Sequence, residues 1–159
     1  PRPVQARPRI WIGGNGEKRT LRIAARHADG WNTPYTSPEE FKRLSGILDM
    51  WCEKEGRDPS SIERNVNLSF HMAANASGLA AAEQQYRDTW GAAAEPMRAR
   101  GVVTGLPDQA LDLVSRYAEA GAARVNIAIR PPADWDALHA WAETVIPAFA
   151  KKEAPARHA

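Results

Sequence analysis

Apolar positions recur along this chain with two periods, and the two periods take turns. Residues 64–73 read RNVNLSFHMA, in which Val66, Leu68, Phe70 and Met72 are separated by Asn67, Ser69 and His71. That period of two predicts a strand. Phe41, Leu44, Ile47, Leu48 and Trp51 instead recur at helical spacing. Ser37-Pro38-Glu39-Glu40 ahead of them is a helix start, with an N-cap, a proline in the first turn and acids near the positive end of the dipole. That helix stops near Gly56, and GRDPSSI follows as a turn.

The same pattern extends in both directions. PRPVQARP, residues 1–8, predicts an extended lead-in, and Ile10 to Gly14 a short buried strand. Glu17 to Ala28 predicts a helix with Leu21, Ala24, Ala25 and Ala28 on one face, and DGWNTPYT a short strand or loop. An Ala-rich helical stretch runs from Ser77 to about Arg100, kinked or divided by Pro96. VVTG is a short extended piece, Pro107 to Ala120 a helix, and Arg124 to Arg130 a strand. A last helix spans Asp134 to Ile146 with Trp135, Leu138, Trp141 and Val145 as its apolar stripe, and residues 151–159 form a tail.

Strands alternating with helices predict an α/β fold whose parallel sheet is covered by helices. Right-handed crossovers then suit either a doubly wound sheet or an arc of a barrel. There is no internal repeat and no domain boundary, so residues 1–159 are expected to form a single domain. A sheet buried on both faces should be apolar throughout. Here Asn67, Ser69 and His71 on one strand, and Asn126, Ala128 and Arg130 on the other, leave one face polar. That face is either solvated or lines a lumen, and in such folds polar residues at carboxyl strand ends build sites. Arg130 either pairs with Asp134 or Asp136, or holds an anion of substrate or cofactor.

Composition narrows the partners. Lys and Arg number 21 against 19 acids, a net charge of +2. The basic residues are dispersed apart from Arg2, Arg7, Arg9 and the Lys18/Arg19/Arg22/Arg26 group. Neither nucleic acid nor membrane is expected as a partner: Arg22 and Arg26 share one solvated helix face, and no apolar run is long enough to span a bilayer. Cys52, the single cysteine, is expected to be a buried inert thiol. The absence of a disulfide framework, and of any secretory signal, fits a reducing cytoplasm. His27, His71, His139 and His158 lack metal-ligand spacing, so no metal is expected. The chain opens on Pro1 rather than Met, as a processed, trimmed or partial chain would.

The remaining chemistry sits at Ile10 to Asn32, where an apolar strand runs through Gly13, Gly14 and Gly16 into a basic helix. A glycine-lysine-Ser/Thr phosphate loop is excluded because Glu17 follows Gly16, and a G-x-G-x-x-G fingerprint because Arg19 occupies its third glycine position. Either this is a tight turn with a solvated face, or backbone N–H groups, Lys18, Arg19 and the Thr20 hydroxyl meet a phosphate at the helix start.

PRIWIGGNGEKRTLRIAARHADGWN resembles the bacterial-luciferase-like superfamily of flavin- and deazaflavin-dependent oxidoreductases, and more narrowly its coenzyme F-420 branch. Ile10, Ile12, Gly13, Gly14, Gly16, Glu17, Thr20, Leu21, Ala25, Asp29, Trp31 and Asn32 match the family block. CEKEGRDPSSI resembles its C-x-x-x-G-R-D-P-x-x-I turn, and TGLPDQALDLVSRYAEAGAARVNIAI its following helix and strand. The resemblance implies an eight-stranded TIM-type (β/α)8 barrel, of which this chain holds strands five to eight, a half-barrel. It implies an oxidoreductase, by monooxygenation or hydride transfer, acting on a small organic substrate. The cofactor would be coenzyme F-420, with FMN as the alternative. Gly13, Gly14, Asn15, Gly16, Lys18, Arg19 and Thr20 would bind the cofactor phosphate, and Trp31, Asn67, His71, Asn126 and Arg130 are candidates to face substrate or lumen. The catalytic acid or base would lie in the absent half. Open strand edges invite a partner: another copy, or a complementary half-barrel. A non-catalytic half-barrel acting by such association is the competing reading.

Overall fold

The computed structural model of the chain describes residues 4–150, and the tail at 151–159 lies outside them. Five parallel strands and their crossover helices follow in order. They are β1 (Trp11–Gly13), α1 (Thr20–His27), β2 (Gly30–Pro34), α2 (Pro38–Lys54), β3 (Glu63–Met72), α3 (Leu79–Trp90), α4 (Ala94–Arg98), β4 (Val102–Gly105), α5 (Pro107–Glu119), β5 (Arg124–Ala128) and α6 (Trp135–Ala140). A wider turn, Trp141–Val145, carries the last helix on into α7 (Ile146–Phe149).

β1, β2, β3 and β5 lie side by side. Their register fixes which residues share a face. Gly13, Asn32, Asn65 and Arg124 form one row, and Pro34, Asn67 and Asn126 the next. The opposite face carries Ile12, Trp31, Val66, Leu68, Val125 and Ile127 against the helices. Val66 and Leu68 are fully buried there, with Leu21 of α1, Leu44 and Leu48 of α2 and Tyr117 of α5. Each such aliphatic side chain contributes about 1.5–3 kcal/mol by leaving water. Trp31 stacks on Phe41 at 5.8 Å, and Phe41 meets Tyr117 edge-on at 6.2 Å. The Tyr117 hydroxyl donates to the Thr36 carbonyl.

The helix signals behave as their chemistry dictates. Ser37 Oγ accepts from the Glu40 N–H at 3.2 Å, and Pro38 occupies the first turn of α2. The Arg116 guanidinium lies 2.7 Å from Glu39, joining α5 to α2 and holding that carboxyl at a pKa of about 2. Arg22 and Arg26 are solvated as expected, yet both reach Glu55 at the end of α2, at 3.0 and 3.2 Å. Cys52 is fully buried, and burial raises its thiol pKa.

Several boundaries differ from the sequence expectation. VVTG is a true strand: β2 ends at Pro34, and β4 takes up pairing on β3 from Ser69 to Met72. The Ala-rich helix divides at Gly91, whose φ of +50° ends α3, and Pro96 sits inside the short α4. The first helix starts at Thr20 rather than Glu17. β5 stops at Ala128, ahead of two prolines that have no N–H to extend a ladder. Trp135 is 68% exposed and leaves the buried stripe to Ala137, Trp141 and Val145.

Candidate functional site

The first element of the site is the loop from β1 to α1. Gly14 adopts φ +116°, which only glycine takes without strain. Its N–H donates to the Asn32 carbonyl at 3.0 Å, and its carbonyl accepts the Trp31 indole N–H at 2.9 Å. Asn15 Nδ2 donates to the Pro34 carbonyl at 3.2 Å, and Asn15 Oδ1 accepts the Thr33 hydroxyl. The loop is thus tied to the carboxyl end of β2 before any ligand arrives. A Cβ at Gly16 would stand 2.7 Å from Thr20 Oγ1, so the hydroxyl and the Gly16 backbone share one small space. No side chain caps the start of α1. Lys18 and Arg19 are exposed and form no ion pair among the described residues, whereas Glu17 is held by Arg43 at 2.7 Å.

Two sequence candidates change role. Trp31 is not on the polar face: it is fully buried on the helix side, where its indole holds the Gly14 carbonyl. The Asn15 side chain is spent on the Pro34 carbonyl and the Thr33 hydroxyl. Asp29 and Arg57, which motif reading left without a role, complete this scaffold. Asp29 accepts from the Ile10 N–H and from Arg7, both at 2.8 Å, and these contacts lower its pKa. Arg57 donates to the Ala25 carbonyl near the end of α1 at 3.1 Å. The D-x-W-N and G-R-D-P segments therefore carry local architecture.

The second element is the polar face. Asn67 and Asn126 are register neighbours and partly exposed. Asn32 Oδ1 and Asn65 Oδ1, one row earlier, are buried without a hydrogen-bond partner. Leaving such groups unpaired costs about 1–3 kcal/mol each. His71 lies on the same face but not in the open: α3 covers it to 3% exposure, and Tyr86 meets it edge-on at 5.3 Å. Its Nε2 is 2.8 Å from Ser69 Oγ, and its Nδ1 has no partner in hydrogen-bonding geometry. Burial holds the imidazole pKa below its ordinary value, against a weaker opposing pull from the Gln85 side chain.

The third element is the loop after β5. Arg130 is exposed and forms no ion pair among the described residues, because Asp134 instead caps α6 through the Ala137 N–H at 3.0 Å. The Arg130 guanidinium lies over Trp90 of α3, 5.7 Å from the ring centroid. Gln85 Nε2 donates to the Pro132 carbonyl at 3.0 Å. Between α3 and this loop runs an open groove of about 770 Å³, lined by Gln84, Gln85, Asp88, Thr89, Arg130 and Asp134. Trp90 stands 40 positions from Arg130, and no spacing in the sequence announces their contact. Among the described residues no group of three or more His, Cys, Asp or Glu converges as a metal site, and no helix is long and apolar enough to cross a membrane.

The fold recurs in solved structures. Coenzyme F-420-dependent tetrahydromethanopterin reductase from Methanopyrus kandleri superposes with a TM-score of 0.67 at 16% identity, over 89% of this chain and 51% of that one. An F-420-dependent secondary alcohol dehydrogenase gives 0.69 at 15% identity, over 89% and 48%. EDTA monooxygenase from Chelativorans gives 0.69 at 16%, over 93% and 45%. The chain thus spans about half the length of each. No curated protein matches the sequence. The family model for luciferase-like monooxygenases matches residues 1–148, nearly the whole chain, and the chain belongs to that family.

Proposed function

We propose that this chain supplies strands five to eight of a barrel oxidoreductase, and that its glycine loop receives the phosphate of a reduced deazaflavin or flavin. The observation that carries this reading is the cradle itself: an uncapped helix start beside Gly16 and Thr20, with Lys18 and Arg19 unpaired among the described residues. These groups fit a phosphate by charge, by donor chemistry and by the room that the missing Cβ leaves. Coenzyme F-420 is the first choice, since structural neighbours are named for it, and FMN the second, since others are named with FMN. When bound, the cofactor supplies the hydride or oxygen chemistry, and the protein's part is binding and orientation. Gly13, Gly14 and Gly16 allow backbone approach, Trp31 and Asn15 hold the loop in shape, and Lys18, Arg19 and Thr20 donate. Asn67 and Asn126 face a small organic substrate, and Arg130 holds an anionic group at the carboxyl end of the sheet.

Absorbance and fluorescence titration with F-420 and with FMN tests the reading. Both should bind, F-420 more tightly, and Gly16→Val should weaken binding at least tenfold at temperatures where the variant remains folded, the crowding of Thr20 lowering its thermal midpoint as well. Binding that ignores Gly16→Val places the phosphate elsewhere, and tighter FMN binding reverses the order of cofactors.

A second reading, action by association, is favoured by where exposed apolar residues lie. Ile10 and Trp11 at β1, Ile23 on α1, and Ile129, Ile146 and Phe149 after β5 are exposed large apolar residues. The β5 side adds a groove of about 690 Å³ lined by Val114, Val125, Ile127, Leu138 and Trp141. A complementary half-barrel or a second copy would bury both edges, and a monodisperse monomer in light scattering would count against it.

A further inference from the structure

We propose that the groove between α3 and the loop after β5 binds a small amino carboxylate, with its carboxylate on Arg130 and its ammonium on the carboxylates of Asp88 and Asp134. This ligand class rests on the reading that Arg130 holds an anion. The polar lining of the groove is Gln84, Gln85, Asp88 and Thr89 of α3 with Arg130 and Asp134 of the loop. One cation and two carboxylates thus share one space of about 770 Å³, and none of the three is in an ion pair among the described residues. Unpaired surface charges are common, but each of these is held in place by a contact of its own. The Arg130 guanidinium lies over the Trp90 ring, and Trp90 meets Tyr35, just beyond β2, edge-on at 5.4 Å. Asp134 Oδ1 accepts the Ala137 N–H at 3.0 Å, and Asp88 Oδ1 accepts Gln84 Nε2 at 2.8 Å. Neither contact uses the second oxygen of its carboxylate. Among the described residues, every arginine except Arg19 and Arg130 is engaged in an ion pair or a side-chain hydrogen bond. Arg19 belongs to the glycine loop, which leaves Arg130 as the unengaged guanidinium of the groove.

The balance of charge selects the ligand. At the glycine loop two cations, Lys18 and Arg19, stand free, and the one nearby acid, Glu17, is held by Arg43 at 2.7 Å. That surplus of positive charge suits a phosphate. The groove has the opposite surplus. A phosphate dianion there would gain one guanidinium and face two carboxylates, and a simple amine would leave the guanidinium unmet. A ligand with one anionic and one cationic end answers both signs. The planar fork of Arg130 matches the two oxygens of a carboxylate, and the residue is exposed enough to offer it. Ala81, Ala82, Pro131, Pro132 and Ala133 complete the lining and suit the short methylene chain between the two ends. The spacing of the charges is set before a ligand arrives, because α3 holds the loop twice: through the Trp90 ring under Arg130, and through Gln85 Nε2, which donates to the Pro132 carbonyl at 3.0 Å. A site fixed in advance loses less freedom on binding.

Nitrogen-15 NMR of the whole chain at low ionic strength, read at the Arg130 Nε–H, tests the assignment. The probes are 4-aminobutyrate and 6-aminohexanoate, each against the carboxylate and the amine of the same chain length, with inorganic phosphate as a further control. At least one amino carboxylate should bind threefold or more tighter than its matched carboxylate, its matched amine and phosphate. That margin is within the reach of exposed ion pairs, and it should shrink as salt is added. Arg130→Gln should lose binding of the amino carboxylate and of the plain carboxylate alike. The double variant Asp88→Asn with Asp134→Asn should bring the amino carboxylate down to the level of the plain carboxylate without weakening the latter. Asparagine is as good an N-cap as aspartate, so α6 keeps its start in that variant. An amino carboxylate no tighter than its matched carboxylate, or an advantage that survives the double variant, would overturn the proposal. In the first case a carboxylate that still moves the Arg130 signal leaves the anion-holding reading of Arg130 standing. An Arg130 signal that no probe moves, phosphate included, overturns both.

Discussion

The two faces of β3 make opposite bargains with the rest of the chain. On the helix side, Val66, Leu68, Phe70 and Met72 are all buried, and α2, α5 and the last helix supply their cover. On the other side, Asn67 is part exposed, Asn65 is buried with an unpaired carbonyl oxygen, and only Ser69 and His71 are roofed, by α3. One face is a finished core built from residues within this chain. The other is polar and incompletely satisfied, as a surface awaiting a ligand or a further structural layer would be. Stability should therefore live on the first face and ligand recognition on the second.

The strongest way to break that contrast is Leu68→Ala. Removing a fully buried leucine between α2 and α5 should cost about 2–5 kcal/mol in denaturant unfolding. Arg19→Ala comes next and acts on the other side of the ledger. It should leave the unfolding midpoint unchanged and weaken binding of the phosphate-bearing cofactor by about 1.5–3 kcal/mol if the contact is direct. Unchanged affinity would return Arg19 to the solvated surface.

The third prediction concerns pH. Burial holds His71 below its ordinary pKa, so the folded chain resists a proton that the unfolded chain accepts. Stability should be full above pH ~6.5 and should fall as the pH drops below it, by at most about 1.4 kcal/mol per unit for one group. His71→Gln should abolish this limb. Asp29 and Glu39, both held low, also lose stability on acidification, but only below pH ~4. A pH-independent midpoint between 7 and 5 would show that His71 is more hydrated than its 3% exposure indicates. The smallest effect belongs to Asn67→Ala, which should change stability by under ~1 kcal/mol because the side chain is part exposed on the unfinished face. A loss matching that of Leu68→Ala would mean that both faces of β3 are core.

Much of this was written locally. Period-two alternation placed β3 and sorted its faces, because successive side chains must point to opposite sides of a pleated strand. Ser37-Pro38-Glu39-Glu40 placed the start of α2, because the cap, the proline and the acids each answer a need of a helix end. The glycines before α1 marked a strand-to-helix turn, and Gly14 has the positive φ, and Gly16 the cramped space beside Thr20, that such a turn requires. What the sequence could not decide was which distant groups meet. Trp31 read as a candidate for the polar face until strand register put it on the helix side, because a one-residue step reverses every side chain. Arg130 read equally as half of an ion pair or as an anion ligand. Only the fold placed Trp90 beneath it and turned Asp134 to the helix cap. The β4 segment was too short to read by period, and it became a strand only because β2 ended and left an edge of β3 unpaired. Local chemistry determines elements and their ends, while contacts between residues tens of positions apart depend on how the crossovers bring the strands together.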